Sequence, residues 1–139
     1  MSNSSLKIRN RALWTAQILV ALLFVFAGSM KFLMPVEKMQ QGPVVFPLAF
    51  MYFIGVCEVL GGLGLVLPGL TRIATYLTPL AAAGLTIIMI GATTVSVISF
   101  GVAGAIVPGV VGLLTAWIAY SRTRVVPLTV VSRHALQAA

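Results

Sequence analysis

The sequence predicts an all-α integral membrane bundle of four transmembrane helices with both termini in the cytoplasm. Three observations predict it. The first is composition: of 139 residues, 60% are hydrophobic and 8% charged, with a mean hydropathy of +1.09. A soluble domain has about a quarter of its residues charged, so this chain has too few to dress a water-facing surface. The second is segmentation. Apolar runs fall at about 12–34, 48–67, 71–97 and 103–120, each close to the ~20 residues that cross the hydrocarbon core. The third is charge asymmetry. Lys7, Arg9, Arg11, Arg72, Arg122, Arg124 and Arg133 fall on one side of these spans, and only Lys31 and Lys38 on the other. Cytoplasmic segments carry the excess of Lys and Arg, which sets the orientation and speaks against dual topology.

Taken in order, residues 1–11 are polar and read as a short disordered cytoplasmic arm. The first span follows, with Trp14 at the cytoplasmic interface and Pro35 just past its end. Its positive flank and Ala27-Gly28-Ser29 imitate a signal peptide. Cleavage there would expose another apolar run, so the segment reads as an uncleaved helix. Pro35 to Pro47 is a loop with a short interfacial turn. The second span stops at Pro68-Gly69, and Thr71-Arg72 opens the third directly, so these two helices are antiparallel neighbours. Pro79 lies inside that third span and predicts a kink, because proline frees the carbonyl of Thr75. Ser99 to Gly104 makes a Gly-rich turn into the fourth span, which holds Pro108. Residues 121–139 form a cytoplasmic tail.

Composition also excludes functions. The net charge of +7 sits in clusters flanking apolar runs, as topogenic charge facing an anionic leaflet does. No basic stripe interleaved with aromatics is present, so nucleic acid is not the partner. Thiol–disulfide exchange with quinone needs a Cys pair, and Cys57 is alone. No metal cluster, phosphate loop or nucleophile–base pair is visible, and the chain shows no self-contained catalytic site.

Small residues predict where helices touch. Gly28 in the first span, Gly55, Gly61, Gly62 and Gly64 in the second, Gly84 and Gly91 in the third, and Gly112 with Ala116 in the fourth allow close backbone approach. Such positions drive helix association in lipid. They either pack helices or line a ligand groove with bare backbone.

The stretch Phe50 to Pro68 carries one carboxylate, Glu58, near its middle, and Lys31 is the other ionisable residue within a span. Each intramembrane charge costs about 2.5–3.5 kcal/mol even on a lenient scale. Lys31 lies ~5 Å and Glu58 ~16 Å below the outer edge at 1.5 Å per residue, an axial gap of ~11–12 Å. Side chains lean toward their own helix N-terminus, and in antiparallel helices this brings the two toward each other. Three readings stay open: Lys31 reaches the interface and Glu58 is protonated; the two form a structural pair; or Glu58 binds a cation, proton or polar headgroup. Gln17 reads as an interhelical hydrogen bond. Thr93, Thr94, Ser96 and Ser99 read as bonding back to their own helix, Met30, Met34 and Met51 as packing, and Cys57 as a small apolar residue.

These residues carry a family resemblance. Phe26-Ala27-Gly28-Ser29-Met30-Lys31-Phe32 resembles the end of the first helix of the DoxX-like family. Ile54-Gly55-Val56-Cys57-Glu58-Val59-Leu60-Gly61-Gly62-Leu63-Gly64-Leu65, with Leu67-Pro68, resembles its second helix, and Met89-Ile90-Gly91-Ala92 its third. The likeness spans about Leu13 to Tyr120. It implies a small four-helix bacterial or archaeal protein of the cytoplasmic (inner) membrane. Some members are associated with quinone-linked sulfur oxidation or redox-stress complexes, and similar animal proteins act as receptor-assembly factors. Many members carry a His or basic residue after the Gly-Ala of the third helix. Thr93-Thr94-Val95-Ser96 stands there instead, so no residue here carries a proton relay at that point.

The leading expectation is an accessory membrane subunit that binds a quinone or isoprenoid headgroup between the first two helices, at Lys31 and Glu58. It would serve a soluble or membrane redox partner, with membrane lipid around it and a homo-oligomer compatible with it. A scaffold or assembly factor is the alternative. A proton-coupled small-molecule exporter is the third, although the small multidrug resistance transporters place their Glu in the first helix.

Overall fold

A computed structural model describes residues 3–128, and the tail residues Arg133 and His134 lie outside the described residues. Every regular element among the described residues is helical: α1 (Asn3–Leu33), α2 (Val36–Met39), α3 (Leu48–Thr71) and α4 (Leu77–Tyr120). A π-helical turn, Ser121–Val125, follows α4 without a break.

α1 begins at Asn3, so the polar segment expected to be a disordered arm forms its first turns. No proline interrupts the chain before Pro35, and nothing in the backbone stops the helix from extending past the apolar run. Its buried face is Leu13, Gln17, Val20, Ala21, Phe24 and Gly28, the three-and-four spacing of one helix stripe. α2 is a single turn in the loop that follows.

The junction between α3 and α4 differs from the sequence expectation in two ways. α3 runs through Pro68 to Thr71 and ends at Arg72, which is left-handed at φ 56°, with Ala74 also left-handed at φ 49°. α4 therefore starts at Leu77 and not at residue 71. Pro79 falls in its first turn, where backbone N–H groups have no helical partner and proline is tolerated. The expected kink at Pro79 is absent for that reason. The carbonyl of Thr75 is not left free either, since it accepts from Thr78 N at 3.3 Å.

α4 is broken at Gly101, whose φ 72° and ψ −171° are not helical. Thr86 Oγ1 donates to Thr115 Oγ1 at 2.9 Å, and Met89 packs against Gly112. In a straight helix Thr86 and Thr115 would be about 43 Å apart. The chain therefore doubles back at Gly101, and the two legs of α4 lie antiparallel. The turn is one residue wide where Ser99–Gly104 was expected to be a loop.

Three helical stretches are long and apolar enough to cross a membrane: Asn3–Leu33, Leu48–Thr71 and Leu77–Val125. Large apolar side chains such as Leu22, Leu60, Ile87 and Leu113 face outward, while small and polar residues share the interior with Leu13, Leu65, Leu85 and Ile118. A soluble fold reverses that arrangement. The protein is a membrane protein.

Candidate functional site

α1 and α3 cross along a seam of small residues. A Cβ on Gly28 would lie 2.6 Å from Gly55 O, and one on Gly55 would lie 3.1 Å from Gly28 O. Further along, a Cβ on Gly62 would lie 2.9 Å from Ala21 O, and Gly69 packs under the Trp14 ring. At the opposite end the Phe32 and Tyr52 rings stack at 5.3 Å. Gly61 faces the other way, against Leu85 of α4. Gly84 and Gly91, expected in packing, meet no atom within 4 Å; they lie on the outer face of α4.

The seam brings Lys31 and Glu58 together. Lys31 Nζ donates to Glu58 Oε2 at 2.5 Å, with the lysine side chain 22% and the glutamate side chain 5% exposed. In the antiparallel register set by Gly28–Gly55 and Ala21–Gly62, Lys31 is level with Tyr52 and six residues short of Glu58. That offset is about 9 Å along the axis, less than the ~11–12 Å read from the sequence, and the opposed lean of the two side chains closes it. The two glycines make room for the stems. The Cβ position of Gly28 is 3.1 Å from Glu58 Cβ, and that of Gly55 is 3.3 Å from Lys31 Cβ. A charge-assisted bond of this kind is roughly twice as strong as a neutral one.

Beside Lys31 an open apolar groove of about 470 Å³ is lined by Phe26, Met30, Met34, Met39 and Met51, among others. Lys31 borders it, and the lining is almost wholly apolar. Flexible, polarisable methionines suit an irregular apolar guest. Elsewhere, Thr93 Oγ1 and Thr94 Oγ1 bond back to Met89 O and Ile90 O at 2.6 and 2.9 Å. Cys57 is a free, half-buried thiol. Among the described residues no three His, Cys, Asp or Glu side chains gather as metal ligands.

A second polar cluster lies at the other end of the bundle. Gln17, fully buried, donates from Nε2 to Leu65 O at 2.5 Å and accepts from Arg122 Nε at 2.6 Å. Arg122 Nη1 donates to Asn10 Oδ1 at 2.7 Å and to Val126 O at 3.2 Å. The guanidinium also lies over the Trp14 ring, 5.5 Å from its centroid, a cation–π distance. Arg122 is 2% exposed. The sequence reading placed it at the cytoplasmic interface as topogenic charge. The signal was present in α1, where Asn10, Trp14 and Gln17 follow the i, i+4, i+7 spacing of one helix face. Its partner, 105 residues away in the chain, leaves no trace in local pattern.

The Lys31–Glu58 pair, the Gly28–Gly55 crossing and the helical order now stand together on one scaffold. No curated protein and no solved structure matches the chain. The sequence model of the DoxX-like family matches residues 15–119, which include the pair, the seam and both legs of α4. With three quarters of its length so matched, the chain belongs to the DoxX-like family.

Proposed function

We propose that the protein is a four-span membrane subunit that holds the polar end of a lipid-soluble ligand, quinone-like in class, at the Lys31–Glu58 pair. The two antiparallel legs of α4, counted separately, support the reading of four spans. The contact of Asn10 with Arg122 supports placing both termini on one side. Lys7, Arg9, Arg11, Arg122 and Arg124 lie in the helix ends that meet there, which favours the cytoplasmic side of a bacterial or archaeal inner membrane.

One observation carries the ligand reading: Lys31, partly exposed and paired with a buried carboxylate, borders a methionine-lined apolar groove. Lys31 keeps two further N–H donors for a carbonyl or hydroxyl at the head of an apolar guest. Among the described residues no metal-ligand cluster is present; in this reading electrons pass through a partner and the protein is its accessory subunit. The test is binding of a short-chain quinone to the purified protein in nanodiscs. Lys31→Met and Glu58→Gln are expected to weaken it at least tenfold. A Glu58→Gln protein that binds quinone like the wild type would sink the reading.

The depth of Glu58 and its tuck against Gly28 favour a second reading, in which the pair is purely structural and the protein a scaffold or assembly factor. In that case Lys31→Met and Glu58→Leu each unfold the bundle, and the double variant recovers it.

A further inference from the structure

Arg122 is a buried cation with no anionic partner among the described residues. Its partners, Gln17 Oε1, Asn10 Oδ1 and Val126 O, are all neutral. A guanidinium does not lose its proton in proteins, so the charge remains. The whole chain has two acidic side chains. Glu58 is taken by Lys31, and Glu37 lies in α2 at the opposite end. Around Arg122 the helix ends carry only further cations, including Lys7, Arg11 and Arg124.

Two buried polar atoms among the described residues lack a hydrogen-bond partner, and they are Arg122 Nη2 and Thr78 Oγ1. In the register of the α4 legs, with Thr86 against Thr115 and Met89 against Gly112, Thr78 is level with Thr123. The two residues that carry the orphans therefore lie at one level of the bundle, both buried, and both groups can donate. Ser121 and Arg122, three and four residues after the buried Ile118, share its inward face and open a π-helical turn. Such turns are uncommon and concentrate at functional positions. An unpaired buried charge is strongly destabilising, and an external anion is what would offset it here.

We propose that this end of the bundle binds a phosphate group, with Arg122 Nη2 and Thr78 Oγ1 as its inner donors and the surrounding cations as a collar. Since the site lies at the cationic helix ends of a membrane protein, the two sources of that chemistry are an anionic phospholipid headgroup and free phosphate. The anion enters where Val126–Leu128 folds back over the site. That segment is held by the 3.2 Å bond from Arg122 Nη1 and by Thr75 Oγ1 donating to Leu128 O at 3.2 Å, the two longest bonds of the cluster.

The test is thermal unfolding of the full chain in detergent with phosphatidylglycerol, phosphatidylcholine or inorganic phosphate added, together with native mass spectrometry of bound lipid. Phosphatidylglycerol is expected to raise the midpoint and phosphatidylcholine not to. A rise with inorganic phosphate alone assigns the site to free phosphate. Arg122→Lys keeps the charge but removes the fork, and Thr78→Val removes the second orphan while keeping its shape. Both are expected to lose at least half of the shift, and Lys38→Gln, exposed on α2 at the opposite end of the bundle, to keep it. Thr78→Val is expected to fold whatever Arg122→Lys does. An undiminished lipid shift in either folded variant, or equal shifts with both lipids, overturns the site in favour of diffuse charge attraction.

Discussion

Gly28 and Gly55 each stand where the other's side chain would have to go: a Cβ on one falls 2.6 Å, and on the other 3.1 Å, from the opposing carbonyl oxygen. The obstacle is backbone in both cases, so no rotamer change relieves it. This crossing lets α1 and α3 come close enough for Lys31 and Glu58 to bond.

Gly28→Ala is expected to cost about 1–3 kcal/mol, the usual penalty for overpacking, and to lower the unfolding midpoint in detergent. Gly84→Ala is the control. Its Cβ would meet nothing within 4 Å, and alanine in a helix gains up to about 1 kcal/mol over glycine. Equal destabilisation by the two substitutions would remove the seam as the explanation.

The Lys31–Glu58 pair should be asymmetric. Lys31→Met strands a carboxylate that is almost wholly buried, at a cost of about 3–5 kcal/mol. Glu58→Leu strands a lysine that is 22% exposed, which can swing to the interface and cost less. A double-mutant cycle by chemical unfolding in detergent reads both values and their coupling. Additive costs would mean that the bond contributes nothing.

Gly101 sits at φ 72°, ψ −171°, a region open almost only to glycine. Gly101→Ala is expected to cost about 1–3 kcal/mol. The fold-back itself can be read by cross-linking. With Cys57 replaced by serine, cysteines at positions 86 and 115 should form a disulfide, because the native hydroxyl oxygens are 2.9 Å apart. Failure to cross-link under oxidation would argue for a straight helix.

Gln17→Met removes the acceptor of Arg122 Nε and the donor to Leu65 O at once. Leaving buried groups unpaired costs about 1–3 kcal/mol each, more where one is charged. The expected fall in stability exceeds that of Thr94→Val, whose hydroxyl only bonds back to its own helix in an exposed position. A Gln17→Met protein as stable as the wild type would show that water already serves Arg122.

The spans were legible because the bilayer imposes a length and a composition that local sequence must meet. Lys31 and Glu58 were legible as outliers, and the helical rise and lean showed that they could meet. Helix ends were less so. Pro68 reads as a stop, yet α3 continues one turn past it; Pro79 reads as a kink, yet it lies where a helix tolerates proline. Both turn on where neighbouring helices hold the chain. Arg122 was hidden for a different reason. Its sequence position matches that of any topogenic arginine, and only tertiary contact with Asn10, Trp14 and Gln17 separates it from Arg124.

The bond between Gln17 and Arg122 also orders events in time. The α1–α3 seam can close once α3 has been synthesised, and Gln17 can find Leu65 O then. Its carbonyl must wait for a residue 105 positions later. Until that arginine leaves the ribosome the bundle has no latch, and a chain released before it would carry a finished ion pair in an unfinished protein.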